Sequence, residues 1–276
     1  MSRQKYQIDM CSGSLWNKIL LFALPLMASS ILQLLFNAAD VVVVGRFVGK
    51  EALAAVGGTT GTLVNLVVGF FVGLSSGATV ILSQFYGGRR DREVSQAVHT
   101  AAALALAGGA LFTVLGIAFS PVILRWMGTP ADVLVHAEAY VRIYFAGMIP
   151  SLIYNVGAGL LRAVGDSRRP LYFLISACMV NIVLDVLLVA GLELGVAGAA
   201  LATVFSQMVS AVLVVVTLMR SHQVYRLEPR KIRFYGNLLD RIVRIGFPAG
   251  LQSVMYSLSN IIIQASINAF GTDIVA

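Results

Sequence analysis

Asp40 and Asp185 are carboxylates set deep in apolar runs, LLFNAADVVVV and MVNIVLDVLL. A charged Asp at mid-membrane costs about 2.5–3.5 kcal/mol on insertion scales. Apolar residues would pack at both places without that cost, so the pair calls for a chemical use. Gln33 and Asn37 precede Asp40 at spacings that put all three on one helical face. Asn181 lies one turn before Asp185, and Cys178 one turn before that. A fourth apolar run offers Asn155, and a sixth offers Thr203, Ser206, Gln207 and Ser210. If these runs close into a bundle, the polar faces meet inside it. A carboxyl taken out of water favours its protonated form, so such a group can load and release a proton as a bundle opens and closes. The same oxygens, with Asn and Thr, could instead hold Na⁺. The competing reading is polar glue between helices, in which Asn and Asp only satisfy each other.

The elements that must position these groups are membrane spans. Residues are 58% hydrophobic and 12% charged, with mean hydropathy +0.85; a soluble domain has about a quarter of its residues charged. Long apolar runs cover about 15–45, 52–82, 94–124, 137–161, 171–190, 196–219 and 245–270. Each is near or above the roughly 20 residues that cross a hydrocarbon core. Their length and lack of alternation favour helices over barrel strands. The expected fold is an all-α polytopic membrane protein: a tail at 1–14, a six-helix bundle at 15–219, a basic linker at 220–244, and the first helix of a second bundle at 245–276.

The net charge of +7 does not point to nucleic acid, because sixteen of the twenty Lys and Arg fall on one side of this topology: Arg3, Lys5, Lys18, the arginines of QFYGGRRDRE and RAVGDSRRP, and seven in the linker. By the positive-inside rule the N-terminus is cytoplasmic and the linker lies close to anionic lipid. Cys11 and Cys178 allow at most one pair, and Cys178 sits in an apolar run, so no disulfide framework is expected. His99, His136 and His222 are scattered near span ends and do not read as a metal set. In the second span Gly57, Gly61, Gly69, Gly73 and Gly77 recur around Asn65, a winding small-residue surface for close packing. No phosphate-binding GxxxxGK[ST] loop is present.

The opening span has an echo. Pro25 and Asn37 recur as Pro248 and Asn260, each 223 residues on. Six spans separate the two copies, so they run parallel, as in transporters that rock two bundles about a central site. A complete pair of bundles would have about twelve spans and roughly 450 residues. Pro25 and Pro248 each remove a backbone bond and can make a kink or hinge.

The run DVVVVGRFVGKEALAAVG (Asp40–Gly57), the loop LLRAVGDSRRP (Leu160–Pro170) and NIVLD (Asn181–Asp185) resemble the multidrug and toxic compound extrusion (MATE) family, over the whole chain from about Leu15. The resemblance implies a V-shaped pair of six-helix lobes in the cell membrane and a monomeric antiporter rather than an enzyme. It would exchange small organic cations or polyaromatic compounds for H⁺ or Na⁺, with no other cofactor. Carried over by motif, Asp40, Asn155, Asn181, Asp185 and Thr203 match a cation site of the first lobe; the polar faces read above add Gln33, Asn37 and Gln207 as supporting residues. Pro25 matches a position where the first helix is proposed to bend on protonation. Some branches use a carboxylate on the seventh helix for Na⁺; here that helix offers Tyr256, Asn260 and Gln264, and no acid before Asp273.

Two other functions compete. A flippase for lipid-linked oligosaccharides or cell-wall precursors, from the same broad superfamily, should line its cavity with basic groups, whereas Arg142 is the only one well inside a span. An intramembrane aspartyl protease could use two membrane Asp as a dyad. The single Gly-Asp pair, Gly165-Asp166, instead lies in a loop between arginines.

Overall fold

A computed structural model describes residues 8, 15–49, 52–53, 56, 59–127, 129 and 131–269. The expectations for Cys11, Lys50, Glu51, Gly57 and Asp273 fall outside these residues, and so do the side chains of Asn260 and Gln264. The described residues form eight α-helices: α1 Leu15–Phe47, α2 Thr59–Gly87, α3 Asp91–Trp126, α4 Ala131–Ala146, α5 Met148–Ala163, α6 Arg168–Asp185, α7 Gly195–Arg220 and α8 Gly236–Ala269. Among the described residues five helices are long and apolar enough to cross a membrane, and the pair α4–α5, bent by 51°, passes the same test when its two halves are taken together.

The bend breaks what hydropathy reads as one continuous span. Pro150 cannot donate the backbone bond that would join it to Ala146. Gly147 sits at the break, where a Cβ would press on the Val204 side chain of α7. A second irregularity follows Asp185. There α6 widens into a π-helix, Val186–Gly191, and Leu192 N–H reaches back to Leu187 O at 2.9 Å. Single π turns mark functional places in helices because they re-aim the side chains beside them.

Two apolar cores form, one toward each end. The core at the end holding the basic loops joins Leu82, Val98, Leu161, Val214, Tyr225 and Ile242. The other joins Val44, Leu124, Val141, Met148, Val189 and Ala200. Helix α1 is the least covered span. It leans on α6, the π segment and α7 through the buried stripe Phe36, Asp40 and Val44, one residue per helical turn.

The glycine surface of α2 finds its partner in α8, the longest seam in the bundle. A Cβ at Gly69 would meet Ser253 Oγ, one at Gly73 the backbone of Gly250, and one at Gly77 the backbone of Ile242 and Gly246. Helix α8 also begins earlier than hydropathy suggests. Its first turns, NLLDRIVR, bury Leu238 and Ile242 while Asp240, Arg241 and Arg244 stay exposed, so an amphipathic turn precedes the apolar run.

The loop at Gly165-Asp166 is built rather than loose. Gly165 adopts φ +86°, which suits glycine, and its carbonyl accepts from Ile8 N–H at 3.1 Å. Asp166 is fully buried. Its Oδ1 accepts the Arg169 N–H at 3.1 Å, and Arg169 Nε lies 3.3 Å from Oδ2. Burial is the largest influence on this carboxyl and pushes it above the ordinary Asp range against the pull of Arg169.

His99 ties the segment between α7 and α8 to α3. Its Nδ1 contacts Ser95 O at 2.6 Å, and its Nε2 accepts the Glu228 N–H at 3.0 Å. A carbonyl only accepts and an amide N–H only donates, so the ring is the neutral Nδ1–H tautomer. His99→Leu leaves the part-buried Glu228 N–H without its partner and should cost about 1 kcal/mol. The expected result is a lower unfolding temperature with faster amide exchange at residues 225–235. Unchanged exchange there would show that His99 does not hold this segment.

Candidate functional site

The fold brings four of the expected residues together. Asp40 from α1, Asn181 and Asp185 from α6, and Thr203 from α7 are all buried. Helix α1 delivers Asp40 on its one covered stripe, and α6 delivers Asn181 and Asp185 on one face a turn apart. Asp40 is seven residues from the end of α1, and Asp185 is six from the end of the π segment. The cluster therefore lies about two turns, roughly 10 Å, from the bundle end opposite the basic loops.

Thr203 Oγ1 is 3.2 Å from Asp40 Oδ2 and 3.0 Å from Ala199 O. A hydroxyl has one proton to give. With Asp40 ionised, that proton serves the carboxylate. With Asp40 protonated, Thr203 can accept from it and donate to Ala199 instead. The hydroxyl is thus a rotor that answers the charge state of Asp40.

The side chains of Asp185 and Asn181 face Asp40. Yet Asp40 Oδ1, both polar atoms of Asn181 and both carboxyl oxygens of Asp185 are buried with no hydrogen-bond partner among the described residues. Buried polar groups are nearly always paired, and two facing carboxyls cannot both stay charged cheaply. Such a group of oxygens fits a shared proton or a hard cation, which takes oxygen ligands from carboxylates, amides and hydroxyls. Polar glue would leave few of these atoms unmet.

Two tyrosines of α4 complete the surroundings, and neither stands out in the sequence. Tyr140 and Tyr144 lie beside the cluster, Tyr140 near both carboxyls and Tyr144 near Asp40. The two rings stack at 6.1 Å, and Gln207 Nε2 reaches the Tyr144 hydroxyl at 3.5 Å. Aromatic residues in an apolar span look like core, so only their spacing of four hints at a shared face.

The remaining candidates lie elsewhere. Asn155 on α5 donates to Ser151 O of its own helix at 2.9 Å. Gln33 and Asn37 are exposed, because α1 leaves the bundle on that side. Pro25 lies inside a continuous α1, with Ser29 Oγ donating to its carbonyl at 2.8 Å. Cys178 is a buried free thiol. Arg142 is half exposed and paired with Glu138 at 2.7 Å.

A profile of the family described as MatE matches residues 25–187. The chain belongs to the MATE family. Among relatives of this MATE protein is the probable multidrug resistance protein YoeA of Bacillus subtilis, 32% identical over 95% of the chain and 58% of that protein. A MATE crystal structure in the bent conformation superposes with a TM-score of 0.83 at 27% identity, over 90% of this chain and 55% of that one. A MOP superfamily transporter from Pyrococcus furiosus, described as having a binding pocket of reverse polarity that suggests a different function, superposes with a TM-score of 0.86 at 26% identity, over 94% and 57%. The MATE chain thus spans under two thirds of the length of these relatives. It is a multi-pass helical membrane protein of a transporter family.

Proposed function

We propose that the chain is the first lobe, with the opening helix of the second, of an antiporter that exports small organic cations from the cell in exchange for H⁺ or Na⁺. The observation that carries this reading is the buried cluster of unpaired oxygens at Asp40, Asn181 and Asp185 beside Thr203. The coupling ion occupies that cluster and needs no other cofactor. The basic end, with Arg89, Arg90, Arg92 and the segment between α7 and α8, faces the cytoplasm. The division into a lobe at 15–219, a linker and a second lobe follows the six-span repeat, and the protein works as a monomer. Pro25 is the hinge at which α1 bends as the site changes its ion, a reading supported by the backbone bond that a proline inside α1 removes.

A flippase for lipid-linked phosphates is less well supported. Its cavity would need cations to meet phosphate, while the ionisable groups of the buried cluster, Asp40 and Asp185, are acids.

The direct experiment loads membrane vesicles with a fluorescent organic cation and imposes proton and sodium gradients separately. Efflux driven by one gradient supports the antiporter and names its ion. Efflux under neither, with transfer of a lipid-linked phosphate instead, would establish the flippase. Thr203→Val keeps the shape of the site and removes the rotor. It should change coupling-ion affinity about tenfold, the worth of one hydrogen bond to a charged group: H⁺ binds more tightly because the ionised Asp40 loses its donor, and Na⁺ binds more weakly because it loses an oxygen ligand, while Thr203→Ser restores the wild-type value. An ion titration of efflux that is unchanged in Thr203→Val would remove Thr203 from the site.

A further inference from the structure

The segment between α7 and α8 is a fitted strap. Three of its backbone N–H groups are tied to the bundle: Leu227 to Leu218 O at 3.2 Å, Glu228 to His99 Nε2 at 3.0 Å and Tyr235 to Thr100 Oγ1 at 3.4 Å. Tyr225 and Leu227 are buried in the adjoining core. Ile232 packs against the same core, while the basic side chains around it are turned out. Arg226, Arg230, Lys231 and Arg233 are exposed, and Phe234 is 48% exposed among them. The Arg233 guanidinium covers the Tyr235 ring at 4.5 Å. Over residues 220–244 there are seven basic side chains against Glu228 and Asp240. Those acids pair with Lys231 at 2.9 Å and Arg244 at 3.3 Å, leaving a strongly positive outer face.

The strap also sits at a defined depth. Past it, α8 turns Val243, Ile245 and Phe247 outward, as a helix does on entering hydrocarbon. A basic stretch with a protruding aromatic, at the level where an apolar bundle ends, has the composition of a membrane-surface segment. We propose that residues 226–234 dock on the phosphates of anionic lipids in the adjacent leaflet, with Arg226, Arg230, Lys231 and Arg233 meeting headgroups and Phe234 entering the interface. The proposed function enters only in naming that leaflet cytoplasmic. Because the strap joins α7 to α8, headgroup binding would hold the connection between the two bundles against the membrane plane. A free acidic protein would gain nothing from Phe234 at that depth.

The test titrates dioleoylphosphatidylglycerol and dioleoylphosphatidylcholine into the intact protein in neutral detergent and counts bound lipid by native mass spectrometry. Wild type should prefer phosphatidylglycerol at least about tenfold. The variant Arg230→Gln/Lys231→Gln/Arg233→Gln should lose most of that preference, and Phe234→Ser should weaken binding several-fold with no change in charge. Arg89→Gln/Arg90→Gln/Arg92→Gln, at the same end but off the strap, should keep it. Equal retention by the strap variant overturns the proposal. Equal loss in both triple variants overturns it in favour of a diffuse field, and displacement by millimolar inorganic phosphate overturns it in favour of a soluble-anion site. The readout needs no transport, so it stands or falls apart from the efflux reading.

Discussion

Asp40→Asn and Asp185→Asn should each reduce ion-driven efflux to the level of vesicles without the protein, while the protein still folds. Asn keeps the size and hydrogen-bonding reach of Asp but can neither take up a proton nor carry the charge that holds Na⁺. The two carboxyls face one another at the centre of one cluster, so the loss of either should break coupling, and the double variant should be no worse than the singles. Stability should move by no more than about 1–2 kcal/mol, because a costly buried acid is exchanged for a neutral amide. If the carboxyls only joined helices, the outcome would be reversed: transport would survive and unfolding would come earlier. Efflux and thermal unfolding measured on the same preparations separate the two.

The second large effect lies at the seam of α2 and α8. Gly73→Leu and Gly77→Leu should prevent accumulation of folded protein in the membrane. At both places the added side chain meets backbone of α8, at Gly250 and at Ile242 and Gly246, and backbone cannot swing aside as a rotamer can. Overpacking an ordinary core costs about 1–3 kcal/mol. Here two helices must separate along their whole contact, so each substitution should exceed that range. Gly87→Ala on the same helix is the control, since nothing lies within 4 Å of its added Cβ. Expression and unfolding temperature check the series. Folded Gly73→Leu protein with wild-type stability would mean that the seam is not packed as described.

Asp40 and Asp185 are legible in the sequence as candidates for chemistry, because a charge in an apolar run has a known cost. The glycines of α2 read as a packing surface because small residues have few other uses there, but their partner does not, since α8 lies far along the chain. The bend at Gly147 has a signal in Pro150, lost because a hydropathy run ignores backbone donors. The early start of α8 is hidden by Asp240, Arg241 and Arg244, which lower hydropathy while Leu238 and Ile242 keep the helical period. Gln33 and Asn37 do share the Asp40 side of an ideal helix. They are exposed because, among the described residues, α1 is buried only at Phe36, Asp40 and Val44, a tertiary fact. The π turn after Asp185 and the tyrosines of α4 have no local signature that separates them from ordinary core.

In the proposed antiport cycle the cluster of Asp40, Asn181, Asp185 and Thr203 binds the ion that an exported cation displaces. Linkage then requires that each ligand lower the affinity of the other by the same factor. The most direct measurement adds an organic cation to the purified, weakly buffered protein and follows proton release, with ²²Na⁺ displacement in parallel. Release of about one ion per bound cation by wild type, and none by Asp40→Asn or Asp185→Asn, is the expected result. Equal release from wild type and both variants would place the coupling ion elsewhere and contradict the account.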